Sequence, residues 1–272
     1  MKTQRIDLYT GGFNIRIILN PTQEREIHDS WINQSLSNDI KKHYSAFLTN
    51  KKLSKIDFTI HLFQHFPSIF TRKTKDANLG LLHFFKLHRY KILSFQHISI
   101  NQFNLILLTA LQTLASRSDG FLLHTSASIV NNSLFLFCAK SEGGKSTAMK
   151  LLHPRFQAFS DDILIVRKIG EKYYGFQSPV REKNDWIKKT QQHYLVGRIF
   201  FLRKAKFYRT TKIKDLTRII TLLSAQLLTF DPHTKPPTKN AFAFIQRHNH
   251  FYSLSFNKGN KLVTLMGKRV KN

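Results

Sequence analysis

Ala139-Lys140-Ser141-Glu142-Gly143-Gly144-Lys145-Ser146-Thr147 follows the apolar run Ser133 to Ala139 and precedes a segment, Ala148 to Leu152, able to continue as a helix. Strand, glycine loop, Lys-Ser and helix is the order in which backbone N–H groups and a helix N-terminus converge on one phosphate anion. Lys145 supplies a mobile cation for the terminal phosphates, and the Ser146 hydroxyl is a ligand suited to Mg²⁺. Two residues depart from the usual loop. Ala139 stands where the first glycine commonly lies, and Glu142 brings a carboxylate that must turn outward or repel a triphosphate. A Gly-Lys-Ser turn on a basic surface is the alternative reading.

Working outward, Phe121 to Val130 reads as strand, Asn131-Asn132 as a turn, and Ser133 to Ala139 as the returning strand of a hairpin, because asparagine tolerates left-handed backbone angles. Ser160-Asp161-Asp162 comes after the loop, the aspartates sixteen and seventeen residues past Lys145, directly before the apolar run Ile163 to Val166. In most loop-type NTPases the metal aspartate ends an apolar strand; here a pair of them begins one. His124 lies fifteen residues before Ala139. Taken singly, the aspartate pair reads equally as a solvated turn or helix cap, and His124 as a core side chain. Together with the loop they form one constellation.

That spacing, His124-Thr125-Ser126, hairpin, Ala139 to Thr147, short helix, Phe159-Ser160-Asp161-Asp162, resembles the catalytic domain of the HPr serine kinase/phosphorylase family and its relatives, which share the wider phosphoenolpyruvate carboxykinase-like P-loop fold. The resemblance covers about Phe121 to Trp186. It implies a mixed α/β nucleotide-binding domain using ATP and Mg²⁺. It makes Gly143, Gly144, Lys145, Ser146 and Thr147 the triphosphate cradle, with Ser146 and Asp161 on the metal. Asp161 and Asp162 become the metal-binding and base pair, Asp162 being the base, with His124 close to the phosphates. A Pro-containing segment with a basic residue also lies near the active site in that family. Arg181 and Lys183, after Pro179, are therefore candidates for holding the transferred phosphoryl group, an exposed basic loop being the alternative.

The implied reaction is transfer of the γ-phosphoryl group to a hydroxyl, a serine of a protein or peptide. A second reading is a catalytically impaired nucleotide-binding accessory or regulatory protein, for which Ala139 and Glu142 speak. A third is a basic nucleic-acid-associated protein in which the loop is incidental.

The 272 residues carry 43 Lys and Arg against 16 Asp and Glu, a formal net charge of +27, with 42% hydrophobic residues. This is enough apolar material for a globular core and excludes a disordered tail. Ile187 to Asn272 holds eighteen Lys and Arg against only Asp215 and Asp231, so an acidic partner is expected to dock there. The single cysteine, Cys138, sits among Phe135, Leu136 and Phe137 and reads as a small buried hydrophobe, giving a reducing, cytoplasmic compartment as the expectation. No export signal is visible near Met1, and the apolar stretches are too short to span a bilayer. There is no cysteine set for zinc, no Gly-x-Ser-x-Gly elbow and no dinucleotide fingerprint.

Residues 1–100 read as a small α+β accessory region, with strands at Phe13 to Leu19 and Ile56 to Leu62 and a helix within Pro21 to Asp39. Residues 101–272 read as the nucleotide-binding domain, opened by an amphipathic helix from Asn101 to Arg117 that stops before Asp119-Gly120. Further strands are expected at Tyr173 onward and Leu195 to Leu202, a helix at Asp215 to Thr229, and a loop at Asp231 to Lys239. A closing hairpin of Phe251 to Phe256 with Leu262 to Leu265 is expected around Lys258-Gly259-Asn260. A homo-oligomer is left open.

Overall fold

The computed structural model describes residues 3–20, 28–50, 53–63, 85–94, 98–180, 182, 184, 186–230, 237–257, 259 and 261–268. These form a mixed α/β protein with two mixed sheets, divided into compact units of residues 1–114 and 115–272. No helix among them is long and apolar enough to cross a membrane.

The first unit is built on alternation. β1 (Gln4–Thr10) and β2 (Phe13–Asn20) pair as an antiparallel hairpin around Gly11 and Gly12, both with positive φ, where a side chain would be strained. Every second residue of β2, from Phe13 to Leu19, is buried, as a sheet with one covered face requires. β3 (Phe58–Phe63) joins β2 in parallel; β4 (Phe85–His88) and β5 (Lys91–Ser94) complete the order β1-β2-β3-β5-β4. Helix α1 (His28–His43) leads to a 3-10 turn at Ser45–Phe47. Helix α2 (Ile100–Arg117) buries Phe103, Ile106, Leu107, Ala110, Leu111 and Leu114 at helical spacing. Its Phe103 ring lies 5.7 Å from Tyr44, and the division between the two compact units falls in its last turn, after Leu114. The helix stops where Asp119 takes a φ of 51° and Gly120 N–H returns to the Ala115 carbonyl at 2.8 Å.

The second unit carries the loop. Its strands are β6 (Phe121–His124), β7 (Ser126–Val130), β8 (Ser133–Cys138), β9 (Ala158–Ser160), β10 (Ile163–Ile169), β11 (Lys172–Gln177) and β12 (His193–Lys204). They run in the order β6-β10-β11-β12-β8-β7-β9, with β13 (Arg209–Lys212) and β14 (Phe251–Phe256) attached beside the end of β12. Phe121 to Val130 is thus two strands. The chain changes neighbours at Thr125, β6 pairing with β10 and β7 with β8 and β9. Asn131 and Asn132 have φ of 47° and 58°, the left-handed pair a two-residue hairpin turn demands.

β8, β12 and β14 run parallel, so their C-terminal ends meet along one edge. Both faces of this sheet are covered. Leu134, Leu136 and Cys138 of β8 pack in one cluster, and α4 (Leu216–Ser224) and α5 (Thr238–Arg247) cover that face. Phe135 and Phe137 point the other way, into a cluster beneath α3 (Lys145–Leu152) and α6 (Lys261–Lys268). Asp215 caps α4 through its side chain, which accepts from Arg218 N–H at 3.2 Å.

Two expectations are corrected here. Residues 262–265 are helical, because Leu262 and Met266, four apart and fully buried, follow the helical period; β14 pairs instead with β12 and β13. The loop expected through Lys239 ends sooner: α5 starts at Thr238, with Ala241, Phe244 and Ile245 buried on one side, while residues 231–236 lie outside the described residues.

Candidate functional site

The site sits where the parallel strands end, the edge of an open α/β sheet that offers a crevice for ligands. β8 delivers the chain to Ala139, and the loop turns into α3 through Glu142, at φ 57°, and Gly144, at φ 97°. Two glycines are needed for different reasons. A Cβ at Gly143 would stand 2.5 Å from the Ala139 Cβ and 2.9 Å from the Lys140 carbonyl oxygen, so the methyl of Ala139 itself demands glycine four residues on. Gly144 needs its left-handed angle, and a Cβ there would come within 3.1 Å of the Phe256 ring at the end of β14. Gly143 N–H donates to the Lys140 carbonyl at 3.0 Å, and the first intrahelical bond runs from Ala148 N–H to the Gly144 carbonyl at 2.8 Å. The amides of the first turn of α3 precede that bond, which is the arrangement that favours an anion.

Lys145 is buried, and its ammonium donates to the carbonyls of Ala139 at 2.9 Å and Lys140 at 3.4 Å. The side chain arches back over the loop it belongs to.

The aspartates occupy the two-residue step between β9 and β10, and register hands them to different strands. Pairing of Ala127 with Ser160 brings Ser126 to Asp161, whose Oδ1 accepts the fully buried Ser126 hydroxyl at 2.6 Å. Its other oxygen accepts from Asn184 Nδ2. Pairing of Ile163 with His124 brings the imidazole to Asp162, with Nε2 3.3 Å from Oδ1. Asp162 also holds Thr125 N–H through its backbone carbonyl at 3.1 Å. His124, Ser141, Glu142, Gly143, Gly144, Lys145, Ser146, Thr147, Asp161 and Lys204 all line one cleft of about 280 Å³. Asp162 adjoins it through His124. Arg181 and Lys183 lie outside the described residues.

Beneath the aspartates is a buried polar network. Glu182 accepts from Asp161 N–H at 2.9 Å and from the Ser160 hydroxyl at 3.2 Å, and pairs with the Lys189 ammonium at 2.8 Å. Lys189 also donates to the Ser178 carbonyl at 2.7 Å. Burial pushes the Lys189 pKa down, opposed by the negative charge of Glu182. Cys138, fully buried behind the loop, has its thiol pushed up to about 11 by burial, which leaves it inert at neutral pH.

No family model and no curated protein matches the chain. Among solved structures, the Hpr(Ser) kinase/phosphatase from Coxiella burnetii is similar, at 14% identity over 56% of this chain and 94% of that one, with a TM-score of 0.32.

The sequence brought His124, the loop and the aspartates into view; it did not single out Ser126, Glu182, Asn184, Lys189 or Lys204. Lys204 carried the one usable signal, a cation two residues after the apolar run Phe200-Phe201-Leu202. Ser126 is recognisable only through sheet register, and Glu182, Asn184 and Lys189 only through the contacts they make in the fold.

Proposed function

We propose that the chain is an ATP- and Mg²⁺-dependent kinase that transfers a phosphoryl group to a hydroxyl, a serine of a protein or peptide, in the manner of the HPr-kinase-like proteins its loop and aspartate pair resemble. The observation that carries this reading is that Lys145, Ser146, Thr147, His124 and Asp161 line a single cleft, although they come from separate stretches of the chain. Loop amides and the N-terminus of α3 hold the phosphates, and Lys145 moves from the loop carbonyls to the terminal phosphate oxygens. Asp162, oriented by His124 at 3.3 Å, accepts the proton of the attacking hydroxyl as its oxygen bonds to phosphorus and the bond to the leaving nucleoside diphosphate breaks. Lys204 adds a second cation for the charge developing between the two oxygens.

The donor set fits a hard divalent cation. Ser146 and Asp161 offer oxygens to the same cleft, and among the described residues the side-chain groups donating to the buried Asp161 carboxylate, Ser126 and Asn184, are both neutral. Mg²⁺ bound there supplies charge neutralisation at the phosphates.

Calorimetry of ATP with and without Mg²⁺, in moderately high salt to suppress non-specific anion binding, tests the reading. Magnesium-dependent binding that disappears in Lys145→Ala supports it; binding that is absent, or unchanged in that variant, overturns it. One observation favours the impaired form as a second reading: Glu142 lines the cleft. Replacing it by glycine removes the carboxylate and relaxes the φ of 57°. If Glu142→Gly binds ATP more tightly and gains transferase activity that the natural chain lacks, the impaired reading is the right one.

A further inference from the structure

The strongest unassigned feature is the turn after β12. Arg203, Lys206 and Arg209 at and beside this turn are all exposed, and none forms an ion pair among the described residues. Between Lys206 and Arg209 in the chain, Phe207 is 59% exposed, the most exposed large hydrophobic side chain among the described residues. An apolar ring held in water beside unmatched cations, with Arg203 and Arg209 in one register row across Ser255 of β14, is an interaction surface.

The turn is fastened, not loose. The Tyr208 hydroxyl donates to the Gly259 carbonyl at 2.7 Å and meets Asn257 Oδ1. Asn257 Nδ2 donates to the Lys206 carbonyl at 3.3 Å. A Cβ at Gly259 would stand 2.8 Å from the Tyr208 oxygen, so the turn from 257 to 259 is shaped to receive that hydroxyl. The fastening continues to the cleft. Phe256, next to Asn257, packs against Gly144 of the loop, and Lys204, two residues before Lys206, lines the cleft itself. Phe207 and its cations are thus displayed in a fixed relation to the phosphate loop.

We infer that this surface docks an acidic polypeptide segment, whose carboxylates meet Arg203, Lys206 and Arg209 and whose apolar side chain covers Phe207, holding a neighbouring hydroxyl at the cleft. The inference deepens the kinase reading and rests on it for the role of the docked segment. Charge complementarity selects carboxylates. Recognition of a single-stranded nucleic acid would call for successive exposed aromatics on which bases stack, and Phe207 is the one exposed ring in this turn, the Tyr208 hydroxyl being engaged.

Fluorescence anisotropy on the full chain tests it. The probe is a labelled peptide with one serine and one leucine flanked by glutamates; its counterparts are the same peptide with glutamines and a single-stranded oligonucleotide of equal charge. The acidic peptide is expected to bind about tenfold or more tighter than the glutamine peptide at physiological salt. The charge reversal Arg203→Glu/Lys206→Glu/Arg209→Glu should abolish that preference, and Phe207→Ser should weaken binding severalfold even at high salt. Each variant is checked for a circular dichroism spectrum and thermal midpoint equal to those of the natural chain, which excludes misfolding. Equal binding of both peptides, or acidic-peptide binding indifferent to the charge reversal, overturns the inference. Tighter, Phe207-dependent binding of the oligonucleotide overturns it in favour of nucleic acid. Acidic-peptide binding that depends on these residues in a chain that fails to bind ATP leaves the docking surface standing and removes the kinase reading instead.

Discussion

Replacing Gly143 by alanine puts the geometry of the loop to a quantitative test. The new methyl would sit 2.5 Å from the Ala139 Cβ and 2.9 Å from the Lys140 carbonyl oxygen. Carbon atoms in contact prefer about 3.5–4.0 Å, so the loop must open by about 1 Å between residues 139 and 143. Neither obstacle is a flexible side-chain end: one is a Cβ fixed to the backbone and the other is backbone. Opening lengthens the Gly143 N–H to Lys140 bond, now 3.0 Å, and draws the Ala139 and Lys140 carbonyls away from Lys145. Overpacking of this kind costs about 1–3 kcal/mol. For a unit of this size, a cost near 2 kcal/mol lowers Tm by roughly 4–8 °C. Because the displaced groups are those that would meet phosphate, ATP affinity should fall more than about tenfold, beyond what the loss of stability explains. Thermal denaturation and calorimetry read the two effects separately. A Gly143→Ala chain with unchanged Tm and ATP binding within about twofold of the natural chain would refute the reasoning.

Other perturbations follow from the same physics. Burial, aided by the neighbouring His250, lowers the His248 pKa from 6.5 to about 4; since the unfolded chain takes up the proton first, the stability this neutral ring contributes is full above about pH 6.5 and lost as pH falls through 4, to the extent of about 3 kcal/mol. Chemical denaturation of the natural chain should show that acid loss, and His248→Phe should flatten it; an identical pH profile in the variant counts against the assignment. Lys189→Met leaves the Glu182 carboxylate, 3% exposed, without its cation and should destabilise by about 3–5 kcal/mol, with most of the loss restored in Lys189→Met/Glu182→Gln. Urea unfolding decides this, and a double variant no more stable than the single one would contradict it.

The loop, the Asn131-Asn132 hairpin and the aspartates ahead of β10 were legible in the sequence because each is specified locally: by glycine geometry, by left-handed tolerance, and by polar residues abutting an apolar run. The adjacency of His124 to Asp162 and of Ser126 to Asp161 was not, since it depends on which strands become neighbours, and β6 and β7 part company at a threonine that reads like any strand residue. Lys204 reaches the cleft only because β12 lies beside β8, a pairing between residues some sixty apart in sequence. Leu262 and Met266 carry the helical period of α6, but within a run of four to five residues alternating and helical patterns overlap, so the sequence there reads as a strand. α5 is masked in the sequence because three prolines just ahead of it, at 232, 236 and 237, read as loop punctuation, whereas Pro237 serves as its N-cap.

The arch of Lys145 over its own loop sets a threshold for what can enter. The ammonium already has oxygen partners in Ala139 and Lys140, so an incoming anion replaces existing contacts instead of filling a void. A chloride ion offers a single charge and no further acceptors for the surrounding amides, and it gains little by the exchange. A polyphosphate brings several oxygens at once and recoups in many contacts what the lysine gives up. On the proposed reading, the loop would act as a valence filter, remaining closed on itself amid the abundant small anions that a protein of charge +27 gathers around it.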